Sequence, residues 1–103
     1  MSAEDKIKEM IKANKVMLFM KGDRKFPQCG FSGMACQILD HIGETYETTN
    51  VLEDNDIREG VKVFSNWPTI PQLYINGEFV GGADIMREMF ETGELKKIIE
   101  QIG

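Results

Sequence analysis

The five consecutive apolar residues of Val16–Met20 constrain the fold of this chain more than any other stretch. A strand built from them is apolar on both faces, and both faces must be covered, as in the central strand of a parallel-type sheet. The run therefore predicts an α/β protein in which helices pack on both faces of a sheet.

Apolar spacing, β-branched runs and turn signals predict the other elements. Helices are expected at about residues 3–14, 30–42, 55–65, 84–90 and 95–102, and strands at 16–20, 46–51, 73–75 and 79–80. Asn76-Gly77 is the expected turn of a β-hairpin. The first two strands are joined by a helix and should be parallel. We expect one domain, residues 1–103, with a mixed four-stranded sheet flanked by helices.

Charge and composition exclude several classes of protein. The net charge of −5 argues against a nucleic-acid partner, because affinity for phosphate comes from clustered Lys and Arg. No apolar run approaches the ~20 residues of a membrane span, and the N-terminus lacks a secretory signal. Two cysteines are too few for a disulfide scaffold. We expect a reducing compartment, the cytoplasm; a processed organelle-matrix protein would have a similar N-terminus.

Cys29 lies where a polar loop meets the start of the second predicted helix. Unpaired N–H groups at a helix N-terminus lower the pKa of a thiol placed there. The preceding loop adds three cations, Lys21, Arg24 and Lys25, which form a basic pocket in an acidic protein. We interpret Cys29 as a reactive thiolate; the alternative is a small buried apolar residue.

Cys36, the second cysteine, cannot pair with Cys29 along an intact helix. Seven residues span about 10.5 Å, whereas a disulfide needs Cα atoms within about 7 Å. Cys36 is expected to be a partly buried helix residue beside an apolar stripe. That stripe comprises Phe31, Met34, Ala35, Ile38, Leu39 and Ile42. Any disulfide at Cys29 must then use a thiol from outside the chain.

The segment Trp67–Gln72 contains two prolines and precedes a strand. If the peptide bond before Pro71 is cis, Ile70 would turn its N–H and C=O outward to pair with an extended peptide. The alternative is an ordinary proline-rich turn.

The segment Gly81–Asp84 runs from a strand into a helix. Its free N–H groups could hold a carboxylate and Asp84 an amine; the alternative is a connection capped by Asp84. A peptide thiol with two carboxylates and an amine would match Cys29 and both segments, and glutathione is such a molecule.

These motifs resemble those of the monothiol, CGFS-type glutaredoxins, which have a thioredoxin-like fold. The matching residues are spread over most of the chain: Lys21-Gly22, Pro27–Ser32, Ile57-Arg58, Phe64–Gln72 and Asn76–Gly82 with Asp84. The chain departs from the pattern at Ala83, where many relatives have cysteine, at Cys36, and at Asp23-Arg24, where relatives often have Thr-Pro.

The resemblance implies a groove for glutathione. Lys21 and Arg58 would hold its glycine carboxylate, while Thr69 and Ile70 would pair with its central peptide beside cis-Pro71.

The γ-glutamyl end would lie on Gly82, Ala83 and Asp84. The resemblance also implies a [2Fe–2S] cluster shared between two subunits, with a BolA-like protein and apo iron–sulfur proteins as further partners. Such a cluster usually needs four ligands, which Cys29 from two chains and two glutathiones would supply. The alternative function is enzymatic: Cys29 would remove glutathione from mixed disulfides.

Overall fold

In the computed structural model, residues 1–102 are described. They form five helices, four strands and one short 3₁₀ turn: α1 Ala3–Ala13, β1 Val16–Met20, α2 Gly30–Ile42, β2 Glu47–Asn50, the 3₁₀ turn Val51–Glu53, α3 Asn55–Ser65, β3 Gln72–Ile75, β4 Glu78–Gly81, α4 Ala83–Thr92 and α5 Glu94–Gln101. None of the helices in this part of the chain has the length and apolar character needed to cross a bilayer.

The four strands form one mixed sheet in the order β2-β1-β3-β4. β1 is parallel to β2 and antiparallel to β3, and β3 is antiparallel to β4. All five residues of β1 are buried, as expected for a central strand covered on both faces. The predicted α/β fold and its mixed four-stranded sheet are therefore confirmed.

Two apolar clusters cover the two faces of the sheet. Alternate residues of β1 point to opposite faces: Leu18 and Met20 pack with α2, α4 and α5, whereas Met17 and Phe19 pack with α1 and α3. On the second face the rings of Phe19 and Tyr74 meet edge to face, with centroids 5.5 Å apart. Both clusters therefore depend on the same central strand.

Local side-chain chemistry explains several element ends. Ser2 caps α1, since its Oγ accepts a hydrogen bond from the Asp5 N–H at 3.1 Å. The strand predicted to reach residue 51 ends at Asn50 because its side chain accepts from the Leu52 N–H at 3.0 Å and starts the 3₁₀ turn. The hairpin turn has positive φ at both Asn76 and Gly77, 54° and 83°, as a type I′ turn requires.

Two predictions about α2 are wrong in their degree of burial. Cys36 is fully buried at 3% exposure rather than partly buried, because its sulfur packs 3.5 Å from that of Met20 beneath the helix. Phe31 belongs to the predicted apolar stripe but is 59% exposed. It lies in the first turn of α2 and points into a groove rather than into the core.

Candidate functional site

Strand pairing brings three distant segments of the chain to one end of the sheet. Phe19, near the end of β1, pairs with Gln72, the first residue of β3, so Lys21 and the loop that follows lie beside Pro71. Leu73 pairs with Gly81, the last residue of β4, which brings Gly82 to the same end. The three motifs singled out in the sequence are thus neighbours because of the sheet register.

A groove of about 420 Å³ lies between these segments. Eight of the nine predicted site residues line it: Lys21, Cys29, Thr69, Ile70, Pro71, Gly82, Ala83 and Asp84. Phe31, Lys62, Trp67, Pro68 and Ile85 complete the lining. The ninth predicted residue, Arg58, is not among the lining residues.

Cys29 is half-buried in the wall of this groove and is the N-cap residue of α2. The backbone N–H of Ser32 is the largest cause that lowers the pKa of the Cys29 thiol, and the Phe31 N–H and the positive charge of Lys21 act in the same direction. Partial burial opposes them without reversing the shift. Cys29 therefore has more thiolate near neutral pH than an ordinary cysteine, which makes it a better nucleophile and metal ligand.

Ser32 occupies the position at which a C-x-x-C motif would have its second thiol. Its side chain is fully buried, and its Oγ accepts a hydrogen bond from the backbone N–H of Lys21 at 3.1 Å. This contact ties the end of β1 to the first turn of α2. Ser32 thus supports the position of both Lys21 and Cys29.

The opposite wall of the groove is the segment before β3. The Ile70–Pro71 peptide bond is cis. Neither the N–H nor the C=O of Ile70 is hydrogen-bonded to another group within residues 1–102. Ile70 therefore offers one free donor and one free acceptor at the groove, as a partner for an extended peptide would require.

Gly82 brings the third segment close to this wall. A Cβ atom on Gly82 would lie 3.4 Å from the Pro71 carbonyl oxygen, an ordinary contact, but only 3.2 Å from Trp67 Nε1, so a larger residue would require Trp67 to shift by a few tenths of an ångström. Gly82 is also the N-cap residue of α4, and the exposed Asp84 lies in the first turn of that helix. The alternative in which Asp84 caps the helix is therefore wrong.

The positively charged side chains that line the groove are not all the predicted ones. Lys62 on α3 lines the groove, although the sequence analysis did not single it out. It follows Arg58 by four residues, about one helical turn, and therefore lies on the same face of α3. This spacing could have indicated Lys62 as a second cation near the groove. Arg58 is half-buried, and its Nε has no hydrogen-bond partner in the described chain.

Arg24 was predicted to belong to the basic pocket beside Cys29. Instead its Nη2 lies 2.7 Å from Asp40 Oδ1 on α2, and its guanidinium carbon lies 4.2 Å from the centroid of the Tyr46 ring. Arg24 does not line the groove, because it ties the loop to the outer side of α2. Lys25, predicted for the same pocket, is exposed and does not line the groove either, so Lys21 and Lys62 are the cations among the described lining residues.

Exposed apolar side chains border the groove, which the sequence analysis also missed. Phe31 is 59% exposed and Trp67 41% exposed, and Ile85 lies beside Asp84 at the start of α4. In the sequence these residues resemble core residues, and only the positions of their helices and loops reveal them as groove walls. They give the site apolar surface beside its charged ends.

Comparisons of the sequence and of the structure with known proteins identify the same family. A sequence model described as Glutaredoxin matches residues 16–80. An uncharacterized, ycf64-like monothiol glutaredoxin of Synechocystis is 56% identical over 92% of this chain and 89% of its own. Reduced poplar apo GrxS14 in solution has a TM-score of 0.83 at 46% identity, covering 95% of this chain and 90% of its own.

A monomeric truncated mutant of Trypanosoma brucei 1-C-Grx1 is also similar. Its TM-score is 0.88 at 42% identity, covering all of this chain and 93% of its own. Together with the thioredoxin-like sheet and the single accessible thiol at the start of α2, these similarities show that the chain belongs to the glutaredoxin family, among its monothiol members.

Proposed function

We propose that this chain binds glutathione in the groove beside Cys29, and that two such subunits carry a [2Fe–2S] cluster for delivery to apo iron–sulfur proteins. In the proposed complex the glutathione thiol lies next to the Cys29 sulfur. Its glycine carboxylate faces the cations of the groove, and its γ-glutamyl end faces α4. A homodimer, a BolA-like partner and a reducing compartment such as the cytoplasm are parts of the same proposal.

The charges and backbone groups of the groove support glutathione as the ligand. Lys21 and Lys62 can pair with a carboxylate, and the free N–H and C=O of Ile70 match the two backbone groups of a peptide unit. The N-terminus of α4 at Gly82 favours a second carboxylate, and Asp84 can pair with an amine. Arg58, one helical turn before Lys62 on α3, remains a predicted partner of the glycine carboxylate.

The single accessible thiol is the observation that carries the cluster proposal. Within residues 1–102, no three His, Cys, Asp or Glu side chains are grouped so as to hold a metal ion. Cys36 is buried, which leaves one available thiolate in the described chain. A [2Fe–2S] cluster usually has four ligands, so Cys29 from two subunits and two glutathione thiolates would complete the set.

A second candidate function is favoured by the lowered pKa of the Cys29 thiol. In this reaction the Cys29 thiolate attacks the glutathione sulfur of a mixed disulfide, and the other protein leaves as its thiolate. A second glutathione thiolate then attacks the Cys29–glutathione disulfide, which releases oxidised glutathione and restores Cys29. Only one cysteine of the chain takes part.

Anaerobic reconstitution with ferrous iron, sulfide and glutathione tests the cluster proposal. We expect a visible absorption spectrum of a [2Fe–2S] cluster and dimer formation, both requiring added glutathione, with one cluster per two chains. Cys29→Ser should lose the cluster because it removes the only accessible thiolate. Cys36→Ala is the matched control and should keep it, because Cys36 lies in the core.

Two results would contradict the cluster proposal: a cluster that survives Cys29→Ser, or one that forms equally well without glutathione. Turnover of a glutathione mixed disulfide by the same variants decides between the two functions. Slow turnover relative to a C-x-x-C glutaredoxin favours the carrier, and equally fast turnover favours the enzyme.

A further inference from the structure

Gln72 is one of two fully buried polar side chains in the described chain, the other being Ser32. A buried amide needs partners for its donors and its acceptor. The Gln72 Nε2 donates to the carbonyl oxygens of Trp67 and Thr69, both at 3.1 Å. Its Oε1 accepts from the Tyr74 hydroxyl at 3.2 Å. All three contacts are local, yet two of them reach the wall of the groove.

The contact with Thr69 determines the direction of one peptide unit. The only cis bond in the described chain is Ile70–Pro71, so the Thr69–Ile70 peptide is trans. In a planar trans peptide the C=O and the N–H point in opposite directions. Because Gln72 holds the Thr69 C=O toward the interior, the N–H of Ile70 points away from the interior and toward the groove that Ile70 lines.

We propose that Gln72 is a positioning residue of the groove, which fixes the Trp67–Thr69 segment from inside and aims the Ile70 N–H at the bound peptide thiol. It touches no ligand itself and acts through the two carbonyl groups that it holds. The effect on affinity rests on the proposed binding of glutathione, whereas the effect on the direction of the Ile70 N–H is a property of the free protein.

A matched pair of variants separates positioning from general stability. Gln72→Met keeps the length of the side chain and removes both donors to the groove segment. Tyr74→Phe removes a hydrogen bond of the same cluster but leaves both carbonyl contacts in place. We expect Gln72→Met to raise the dissociation constant of reduced glutathione at least about tenfold, and Tyr74→Phe to change it less than about twofold.

The direction of the Ile70 N–H can be measured in the free protein, and a role of Gln72 in stability alone would not change it. In Gln72→Met, the residual dipolar coupling of the Ile70 N–H should change while those of the four strands stay as in the wild type. Unchanged coupling at Ile70, or equal losses of affinity in both variants, would overturn the proposal. If the wild type itself does not bind glutathione, the proposed function fails, and the coupling at Ile70 alone decides the role of Gln72.

A measurement on the wild type covers the case in which Gln72→Met does not fold. The two side-chain amide protons of Gln72 are buried and hydrogen-bonded, whereas Gln37 is exposed. The Gln72 protons should therefore exchange with solvent at least about a hundredfold more slowly than those of Gln37. Exchange as fast as that of Gln37 would show that the contacts with Trp67 and Thr69 do not persist, and the proposal would be wrong.

Discussion

Cys29 and Cys36 are the same chemical group in opposite surroundings. Backbone N–H groups and Lys21 lower the pKa of the Cys29 thiol, whereas burial raises that of Cys36. The folded state therefore favours the thiolate at position 29 and the neutral thiol at position 36. Ionised Cys29 contributes stability that is fully present above the ordinary cysteine pKa and is lost as the pH falls through its lowered value.

Alkylation by iodoacetamide across a pH series tests this difference. We expect Cys29 to react with a midpoint below that of free glutathione, and Cys36 to stay unmodified while the protein is folded. Lys21→Met should raise the midpoint because it removes a positive charge near the sulfur. Lys25→Met makes the same change in net charge in the exposed part of the loop and should leave the midpoint in place. A wild-type midpoint at or above that of glutathione would contradict the assignment.

At the scale of elements, the loop between β1 and α2 is held at its start and at its side. Ser32 binds the Lys21 N–H, and the Asn50 side chain accepts from the Gly22 N–H at 2.9 Å. Arg24 reaches Asp40, whose Oδ1 also accepts from the Tyr46 hydroxyl at 2.7 Å. The loop that precedes Cys29 is therefore attached to α2 and to β2.

Limited trypsin digestion measures how much Asp40 contributes to holding this loop. Asp40→Asn keeps the size of the side chain and removes its charge, so Arg24 loses its ion pair. We expect cleavage after Arg24 and Lys25 to become about two- to fivefold faster, in line with the modest strength of exposed ion pairs. The difference should shrink as salt is added.

The control for Asp40→Asn is Glu4→Gln, which removes the exposed pair between Glu4 and Lys8 on α1. It should leave cleavage of the loop unchanged. Equal cleavage rates in Asp40→Asn and the wild type would show that the loop is held without the Arg24–Asp40 ion pair.

Most elements were predictable because their signals are local. The apolar run of β1, the spacing in α2 and the Asn76-Gly77 turn each depend on neighbouring residues. The place of α3 relative to the groove was not predictable in this way. It depends on packing between helices, as at Gly60, where an added Cβ would lie 3.0 Å from that of Ala3. The resemblance to a family singled out Arg58, whereas Lys62 is the residue of α3 that lines the groove.

The same distinction explains Arg24 and Phe31. Arg24 shares its loop with Lys21, and nothing in the local sequence indicates that Asp40 lies close enough to bind it. Phe31 continues the apolar stripe of α2, but its side chain is exposed and lines the groove instead of joining the core. Local spacing and composition do not show which distant residues will contact or cover a side chain, and both errors have this cause.

For the molecule as a whole, one sheet separates two apolar clusters, and its central strands contribute to both. Leu18 and Leu73 belong to one cluster, and Phe19 and Tyr74 to the other. Loss of packing on either face should therefore weaken the strands that the other face needs. Both faces should therefore unfold together in one cooperative transition.

Urea unfolding of two core variants tests this cooperativity. Leu95→Ala removes packing on one face and Ile57→Ala on the other, and both side chains are buried. Each should lower the free energy of unfolding by about 2–5 kcal/mol, with one transition shared by far-UV and near-UV circular dichroism. Val63→Ala, at an exposed position of α3, should change it by less than about 0.5 kcal/mol. Two separate transitions in either core variant would show that the faces unfold independently.

The strand register also places the groove and the hairpin turn at opposite ends of β3. The groove gathers at the start of β3, and the hairpin turn of Asn76 and Gly77 lies at the far end of that strand, four residues or about 13 Å away. A tether attached to this turn, or an antibody raised against it, would bind the protein at the end opposite the groove and leave Cys29 accessible to solvent. Immobilisation in that orientation should leave the groove of each captured molecule open to ligands in solution.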